Sequence, residues 1–396
     1  MIDLAKHSLL KYPLFGSLYF SQGIIYALAT VIINVYLDSK GISDSITTAI
    51  IGIAYIPWIL KFLFGGIVDH YIKFGRRKFI IFGGVISAVS FIAVSFIDPQ
   101  VALIPFTLVV LSASSGIAFL DVSADAWAIE TTKETERGKI NAAMFAGLFI
   151  GMATTSIVFG HIAENFSYSL TFFSAGLFVL AIVMFPLLFK ENIIVKRKQK
   201  IRKLLISEFK KKNTQLISLF LPLSAISFGM LAIVVPQYMN DVLMLKIGQI
   251  GLIMAIGPLT TVVGNVVGGF MADIWCRKKT LYIFIGLNLI FAASLIFANS
   301  WQRLAIIWGI VGFLHGGHYS TIGALSMDVT NPKIGAAQFS LIMAFGNAGE
   351  MGGTTISGTL ITMIGFSRVF LYAGWIYAPA LLVLYVIKIK NKDKNS

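Results

Sequence analysis

The sequence predicts an all-α integral membrane protein: twelve transmembrane helices in two pseudo-symmetric six-helix bundles. Composition is the first observation behind this, because 57% of the residues are hydrophobic, 13% are charged and the mean hydropathy is +0.83. A soluble domain built from 396 residues does not carry that balance. The second is the recurrence of apolar runs of about 20 residues, the length that spans the hydrocarbon core. The third is that the cations gather on one side of the topology these runs define.

The runs are separated by charges and by Pro and Gly. They lie at 12–37, 45–68, 79–98, 101–129, 139–163 and 169–189 in the first half, and at 214–239, 247–272, 280–299, 302–327, 335–363 and 367–388 in the second. The first is long and has no small-residue cleavage site, so it is expected to be a retained helix and not a signal peptide. Of the 32 Lys and Arg residues, 27 fall on one side, including ten between the sixth and seventh runs. The other side holds Lys40, Lys246, Arg303 and Arg368, and Lys61 falls inside a run. The positive-inside rule then places both termini in the cytoplasm of a cell-membrane protein.

The net charge of +14 is accordingly topology and headgroup attraction. The cations are scattered over loops, which speaks against nucleic acid as a partner. The single Cys276 excludes an internal disulfide and is too few for a structural zinc site; no cofactor and no metal are expected.

The charge run "KENIIVKRKQKIRKLLISEFKKKN" falls near the midpoint. It divides the chain into 1–189, a basic cytoplasmic linker at 190–213, and 214–396. The apolar positions Ile201, Leu204, Leu205 and Phe209 suit either a short amphipathic surface helix or a solvated connection. The halves repeat each other: "GGIVDHYIKFGRRK" returns as "GGFMADIWCRKK". At an offset of 198 residues "AIETT" returns as "SMDVT", Gly160 as Gly358, and "TFFSAG" as "VFLYAG". Such duplication marks a transporter fold.

These residues resemble the major facilitator superfamily, whose loop after the second helix carries G-x-x-x-D-(K/R)-x-G-(K/R)-(K/R). The second copy supplies Gly269, Asp273, Arg277 and Lys278, with Cys276 at the second glycine; the first supplies Gly65, Asp69, Arg76 and Arg77 with a longer spacer. Pro57, Lys61 and "DVSADAW" look like the branch of AmpG-type muropeptide permeases and acetyl-CoA transporters. The chain departs from that branch at Phe64 to Ile67, which lack its Trp and Pro, and at Leu120, which stands in place of Gln. The resemblance implies that the loop motifs hold one conformation of a cytoplasmic gate. It also implies that the first, fourth, seventh and tenth helices line a cavity, contributing Tyr19, Gln22, Tyr26, Asn34, Asp121, Asp125, Gln237, Tyr238, His315, His318 and Tyr319 among others.

Ionisable groups within spans are costly and mark substrate or ion pathways. Lys61 stands eight residues above Asp69, about 12 Å, and Asp121 nine residues above Glu130, about 13 to 14 Å. The lysine therefore arrives at the depth of Asp121, and Asp125 shares its helix face at i+4. A pairing is expected, with snorkelling of Lys61 to the interface as the alternative. His315 and Glu350 also match in depth, so the expected proton-coupling groups are Asp121, Asp125, Glu350 and His315.

The expected function is a secondary transporter, not an enzyme. It would move a small organic solute by alternating access as a proton-coupled symport permease, acting as a monomer in the lipid bilayer, with a muropeptide-like or acyl-CoA-like anion favoured. An exporter of hydrophobic or lipid-like compounds is the alternative. An intramembrane enzyme using the Asp121/Asp125 pair is more remote. No G-x-x-x-x-G-K-(S/T) loop is present for a primary pump.

Overall fold

The computed structural model of the chain describes residues 2–4, 8–132, 137–191, 201–331 and 334–388, with the side chains of Asp69, Asp273 and some helix-end residues outside the described set. Among the described residues, ten helices are long and apolar enough to cross a membrane. They are Lys11–Ser39, Asp44–Val68, Arg76–Val94, Leu103–Thr131, Ala143–Asn165 and Tyr168–Leu188 (spans 1 to 6), then Lys212–Asp241, Ile247–Ala272 and Arg277–Phe297 (spans 7 to 9) and Phe366–Val386 (span 12). The places of spans 10 and 11 are taken by Trp301–Asp328 and Gly335–Ile364, which are 28 and 30 residues long. Both carry glycines and polar residues in place of some aliphatic ones, which lowers their hydropathy without shortening them. The linker forms a short helix at Ile201–Phe209. Residues 192–200 lie outside the described set.

Spans 3, 4, 8 and 12 present large apolar side chains outward, as lipid requires: Phe82, Ile104, Leu108, Val266, Phe270 and Leu382 are all exposed, whereas span 1 is mostly buried. In a bilayer these faces meet acyl chains, and the backbone of each helix satisfies its own polar groups. The chain is a multi-pass membrane protein.

Packing divides the chain into two compact units, one of residues 1–197 and 235–258, the other of 198–234 and 259–396. The end of span 7 and the start of span 8 thus pack with the first unit. The boundaries expected from the charge run, 1–189 and 214–396, differ from this grouping in residues 235–258.

Within the first unit, span 1 lies along span 5, and span 3 lies against spans 4 and 6. Contact between spans 1 and 5 is backbone-close. A Cβ on Gly23 would overlap the carbonyl of Leu148, and one on Gly147 or Gly151 would overlap span 1 at Gly16 or Phe20. The second unit repeats the device, with Gly349 and Gly353 of span 11 set against Pro222 and Ile226 of span 7. Its core gathers Ile217, Phe220, Leu281, Ile285, Ile322 and Tyr377.

Two local distortions position polar residues. Span 2 contains Pro57, which lacks the N–H that an α-helix needs there. The helix breaks at Leu60 and restarts at Lys61. Span 1 widens into a π-helical turn at Leu28–Ile32, between Tyr26 and Asn34; such turns re-aim the residues on either side.

Candidate functional site

Spans 1, 2 and 4 bring together a cation, two acids, an amide and a phenol. The Lys61 ammonium lies 3.1 Å from Asp121 Oδ2. Gln22 Nε2 donates to Asp121 Oδ1 at 2.9 Å, and the Tyr19 hydroxyl donates to Asp125 Oδ1 at 2.5 Å. Asp121 is buried, its side chain only 3% exposed, while the Lys61 side chain remains 17% exposed. Trp58 sits one turn before Lys61, its ring centroid 6.0 Å from the ammonium. The lysine therefore does not snorkel away; it bonds inward at the depth the helix rise predicted.

The geometry is that of a breakable pair. Asp121 has both oxygens occupied by donors, one charged and one neutral. Lys61 carries the only ammonium among the described residues at this site, and its side chain is partly exposed. Asp125 lies one turn along the same helix face and accepts from the Tyr19 hydroxyl.

In the second unit, His315 and His318 are buried. The His315 ring stacks on Phe228 with centroids 3.7 Å apart and planes at 6°, and Tyr319 and His318 lie 5.9 and 6.2 Å away. His315 Nδ1 and both ring nitrogens of His318 are without a hydrogen-bond partner among the described residues. His315 Nδ1 makes no hydrogen bond to Glu350, the residue matched to it in depth. Equal depth fixes height but not azimuth, and the aromatic face of Phe228 occupies the neighbouring position. Glu350 lies on span 11 where that helix meets Gly229 of span 7.

The loop motifs hold helix ends. Arg76 Nη2 pairs with Glu130 Oε1 at 3.1 Å, and Arg277 Nε pairs with Asp328 Oδ2 at 3.3 Å. Glu130 and Asp328 are the residues matched by the 198-residue offset, so the repeat in sequence is also a repeat in contacts. The backbone N–H groups of Arg76 and Arg77 both donate to Glu191, an anion at a helix N-terminus. Gly75 precedes them with φ of 85°, and any Cβ there would overlap the Glu191 carboxylate. Lys278 Nζ donates to the carbonyls of Tyr385 at 2.7 Å and Ile387 at 3.0 Å. Asp69 and Asp273 belong to the same motifs, and their side chains lie outside the described residues. Gly65 meets Val122 of span 4, and Gly269 faces open space.

The remaining cavity candidates are spread out. Tyr26 meets Tyr55 edge-on at 6.0 Å, and Asn34 is fully buried in span 1. Tyr238 lies on span 7, partly buried. Gln237 donates to Asp44 Oδ1 at 2.9 Å. That contact belongs to a feature the sequence reading missed: Asp38, Asp44 and Asp241 bring carboxylate oxygens within 4.8 Å of one another. Asp38 and Asp44 flank one short connection and so had a sequence signal. Nothing in the sequence brings Asp241 to them.

Comparison with known proteins agrees with this architecture. The family model described as Major Facilitator Superfamily matches residues 14–223 and 217–396. A Rickettsia prowazekii protein provisionally named transporter AmpG 2 is 25% identical over 396 residues, covering 94% of each chain. The similarly named AmpG 4 of Rickettsia conorii is 24% identical, covering 94% of this chain and 96% of that one. Among solved structures, a mutant of the nucleoside transporter NupG superposes with a TM-score of 0.79 at 13% identity, over 96% of this chain and all of its own. A bacterial homologue of the human lysosomal transporter Spinster, inward-facing and occupied, gives 0.75 at 14% identity, over 98% of this chain and 97% of its own. The chain is a transporter that belongs to the major facilitator superfamily.

Proposed function

We propose that the protein is a proton-coupled secondary transporter of a small organic anion, working by alternating access from the cell membrane with both termini cytoplasmic. The observation that carries the reading is the Lys61–Asp121 ion pair, buried on the acid side and partly open on the lysine side. Ionised groups at this depth persist only when partnered. A transporter also needs a group whose protonation differs between its two states, and a desolvated carboxylate serves. A proton taken up at Asp121 Oδ2 releases Lys61, whose ammonium then meets the anionic group of the substrate; loss of the proton restores the pair. Gln22 stays on Asp121 Oδ1 and Tyr19 on Asp125 Oδ1 during the exchange.

An anion is favoured because the released group is a cation. The resemblance to AmpG-type permeases and acetyl-CoA transporters, together with the similarity to the Rickettsia proteins, supports muropeptide-like or acyl-CoA-like solutes. A thermal-shift screen of purified protein across amino-sugar peptides, nucleotides, acyl-CoAs and hydrophobic cations identifies the class, since a ligand of the folded state raises its apparent stability. Stabilisation by hydrophobic cations alone would favour an exporter of lipid-like compounds instead.

The coupling step has its own test. Asp121→Asn in proteoliposomes should bind and exchange substrate yet fail to accumulate it under an imposed pH gradient. Normal accumulation would remove Asp121 from the coupling role and turn attention to Asp125, Glu350 and His315.

A further inference from the structure

We propose that Asp38, Asp44 and Asp241, with the side-chain oxygens of Gln237 and Thr47, form a binding site for one hard divalent cation of the calcium class. The three carboxylates come from the end of span 1, the start of span 2 and the end of span 7, all within the first packing unit. Their oxygens lie within 4.8 Å of one another. Like charges that close and partly desolvated must either take up a proton or find a cation.

Neutral amides are the donors they have. Asn240 Nδ2 donates to Asp38 Oδ2 at 2.6 Å and to Asp241 Oδ1 at 2.9 Å, and Gln237 Nε2 reaches Asp44. The lysines nearest in sequence are engaged elsewhere: Lys40 with Asp98 at 3.0 Å, and Lys246 with Glu164 at 4.0 Å. Negative charge therefore gathers here without a protein cation among the described residues to balance it.

Two further oxygens point to a ligand independently of the acids. Thr47 is fully buried and its hydroxyl has no hydrogen-bond partner among the described residues; Gln237 is 1% exposed and its Oε1 has none among them either. Thr47 follows Asp44 by three residues and Gln237 precedes Asp241 by four, so each shares a helix face with an acid of the cluster. The Gln237 amide head is already at Asp44, which keeps Oε1 beside the carboxylates. A buried oxygen left without a partner costs free energy, and coordination to a cation relieves it.

The donor set selects the metal. Oxygen ligands alone favour hard cations over zinc or copper. Opposite ligands of Ca²⁺ stand about 4.6–5.2 Å apart, twice the metal–oxygen distance, against about 4.1 Å for Mg²⁺. The carboxylate oxygens lie within 4.8 Å of one another, a gap that one ion can span, and a set of three carboxylates with neutral oxygens suits Ca²⁺, since Mg²⁺ keeps several waters and takes one or two carboxylates. Three carboxylates offset a divalent charge and leave a smaller excess than a monovalent ion would. Bound, the cation cross-links three helix ends, whether or not the transport reading holds.

Isothermal titration calorimetry of the purified full-length protein with CaCl₂ tests the site, with MgCl₂ and NaCl as comparators and thermal unfolding in parallel. One Ca²⁺ per chain should bind, raising the unfolding midpoint, with Mg²⁺ at least tenfold weaker. Asp44→Asn/Asp241→Asn should weaken Ca²⁺ at least tenfold while folding normally, since it removes repulsion. The near-isosteric Thr47→Val should weaken it severalfold and provides a second variant should the first fail to fold. No Ca²⁺ binding to folded wild-type protein at millimolar concentration would overturn the proposal and indicate a proton-sharing cluster. Binding unchanged by both variants, or stabilisation by Na⁺ equal to that by Ca²⁺, would overturn it as well.

Discussion

At the residue scale, the consequence of the Lys61–Asp121 pair is an asymmetry between removing one partner and removing both. Lys61→Ala leaves a buried carboxylate without its cation, a loss of about 3–5 kcal/mol for a fully buried pair and less here because Lys61 is partly exposed. Lys61→Ala/Asp121→Asn removes both charges and should recover most of that stability while remaining unable to accumulate substrate. Thermal unfolding and uptake of the two variants check this; a double variant no more stable than Lys61→Ala would mean the pair is not the source of the loss. A second pair lies outside the spans. A hydrogen bond from the Lys40 ammonium, helped by the backbone N–H of Gln100, holds the Asp98 carboxyl below the usual carboxylate range. A depressed folded pKa stabilises above the unfolded value, about 3.9, and that stabilisation is lost as pH falls through the folded value. Asp98→Asn should therefore differ from wild type above about pH 4 and converge with it in more acid buffer. Unfolding midpoints measured from pH 2 to 7 decide it, and a constant difference at every pH would count against the assignment.

At the element scale, the contact between spans 1 and 5 depends on the absence of side chains. Gly23→Ala would place a methyl group against the Leu148 carbonyl, which is backbone and cannot rotate away. The two helices must separate, and overpacking of this kind costs about 1–3 kcal/mol. Gly286→Ala in span 9 is the control, because a Cβ there meets nothing within 4 Å; it should be neutral or slightly stabilising, Ala being the better helix former. Comparable losses of unfolding temperature in the two variants would show that helix propensity matters here and close approach does not. The break in span 2 belongs to this scale too, since one helical run ends at Ile59, two residues past Pro57, and the next begins at Lys61. That restart sets the direction in which the lysine leaves the helix.

At the scale of the whole molecule, the proposed topology, with six spans in each half, would put both termini and the linker on one side. Single cysteines introduced as Lys200→Cys and Arg303→Cys, in a background where Cys276→Ser keeps an acceptor for the Lys279 N–H, should react with a membrane-impermeant thiol reagent from opposite faces of sealed vesicles. Reaction of both from the same face would refute the topology. The repeated motif contacts, Arg76 to Glu130 and Arg277 to Asp328, show that each half carries its own version of the same helix-end lock.

The sequence by itself determined the twelve spans and the family, because hydropathy and cation placement respond to the bilayer, a solvent with one fixed thickness. It also determined the depth of Lys61 against Asp121, because helix rise is constant and counting residues from a charged end measures height. It did not determine azimuth. Equal depth with Glu350 does not give His315 Nδ1 a bond, since rotation about the helix axis is set by packing, here by the Phe228 ring under His315. Which helix ends come together was likewise beyond it. Asp241 lies about 200 residues from Asp38 and Asp44, and an acid at a span end is ordinary in sequence. Only the tertiary structure, by packing the end of span 7 with the first unit, gathers the three carboxylates and leaves Thr47 and Gln237 with buried oxygens that accept no hydrogen bond.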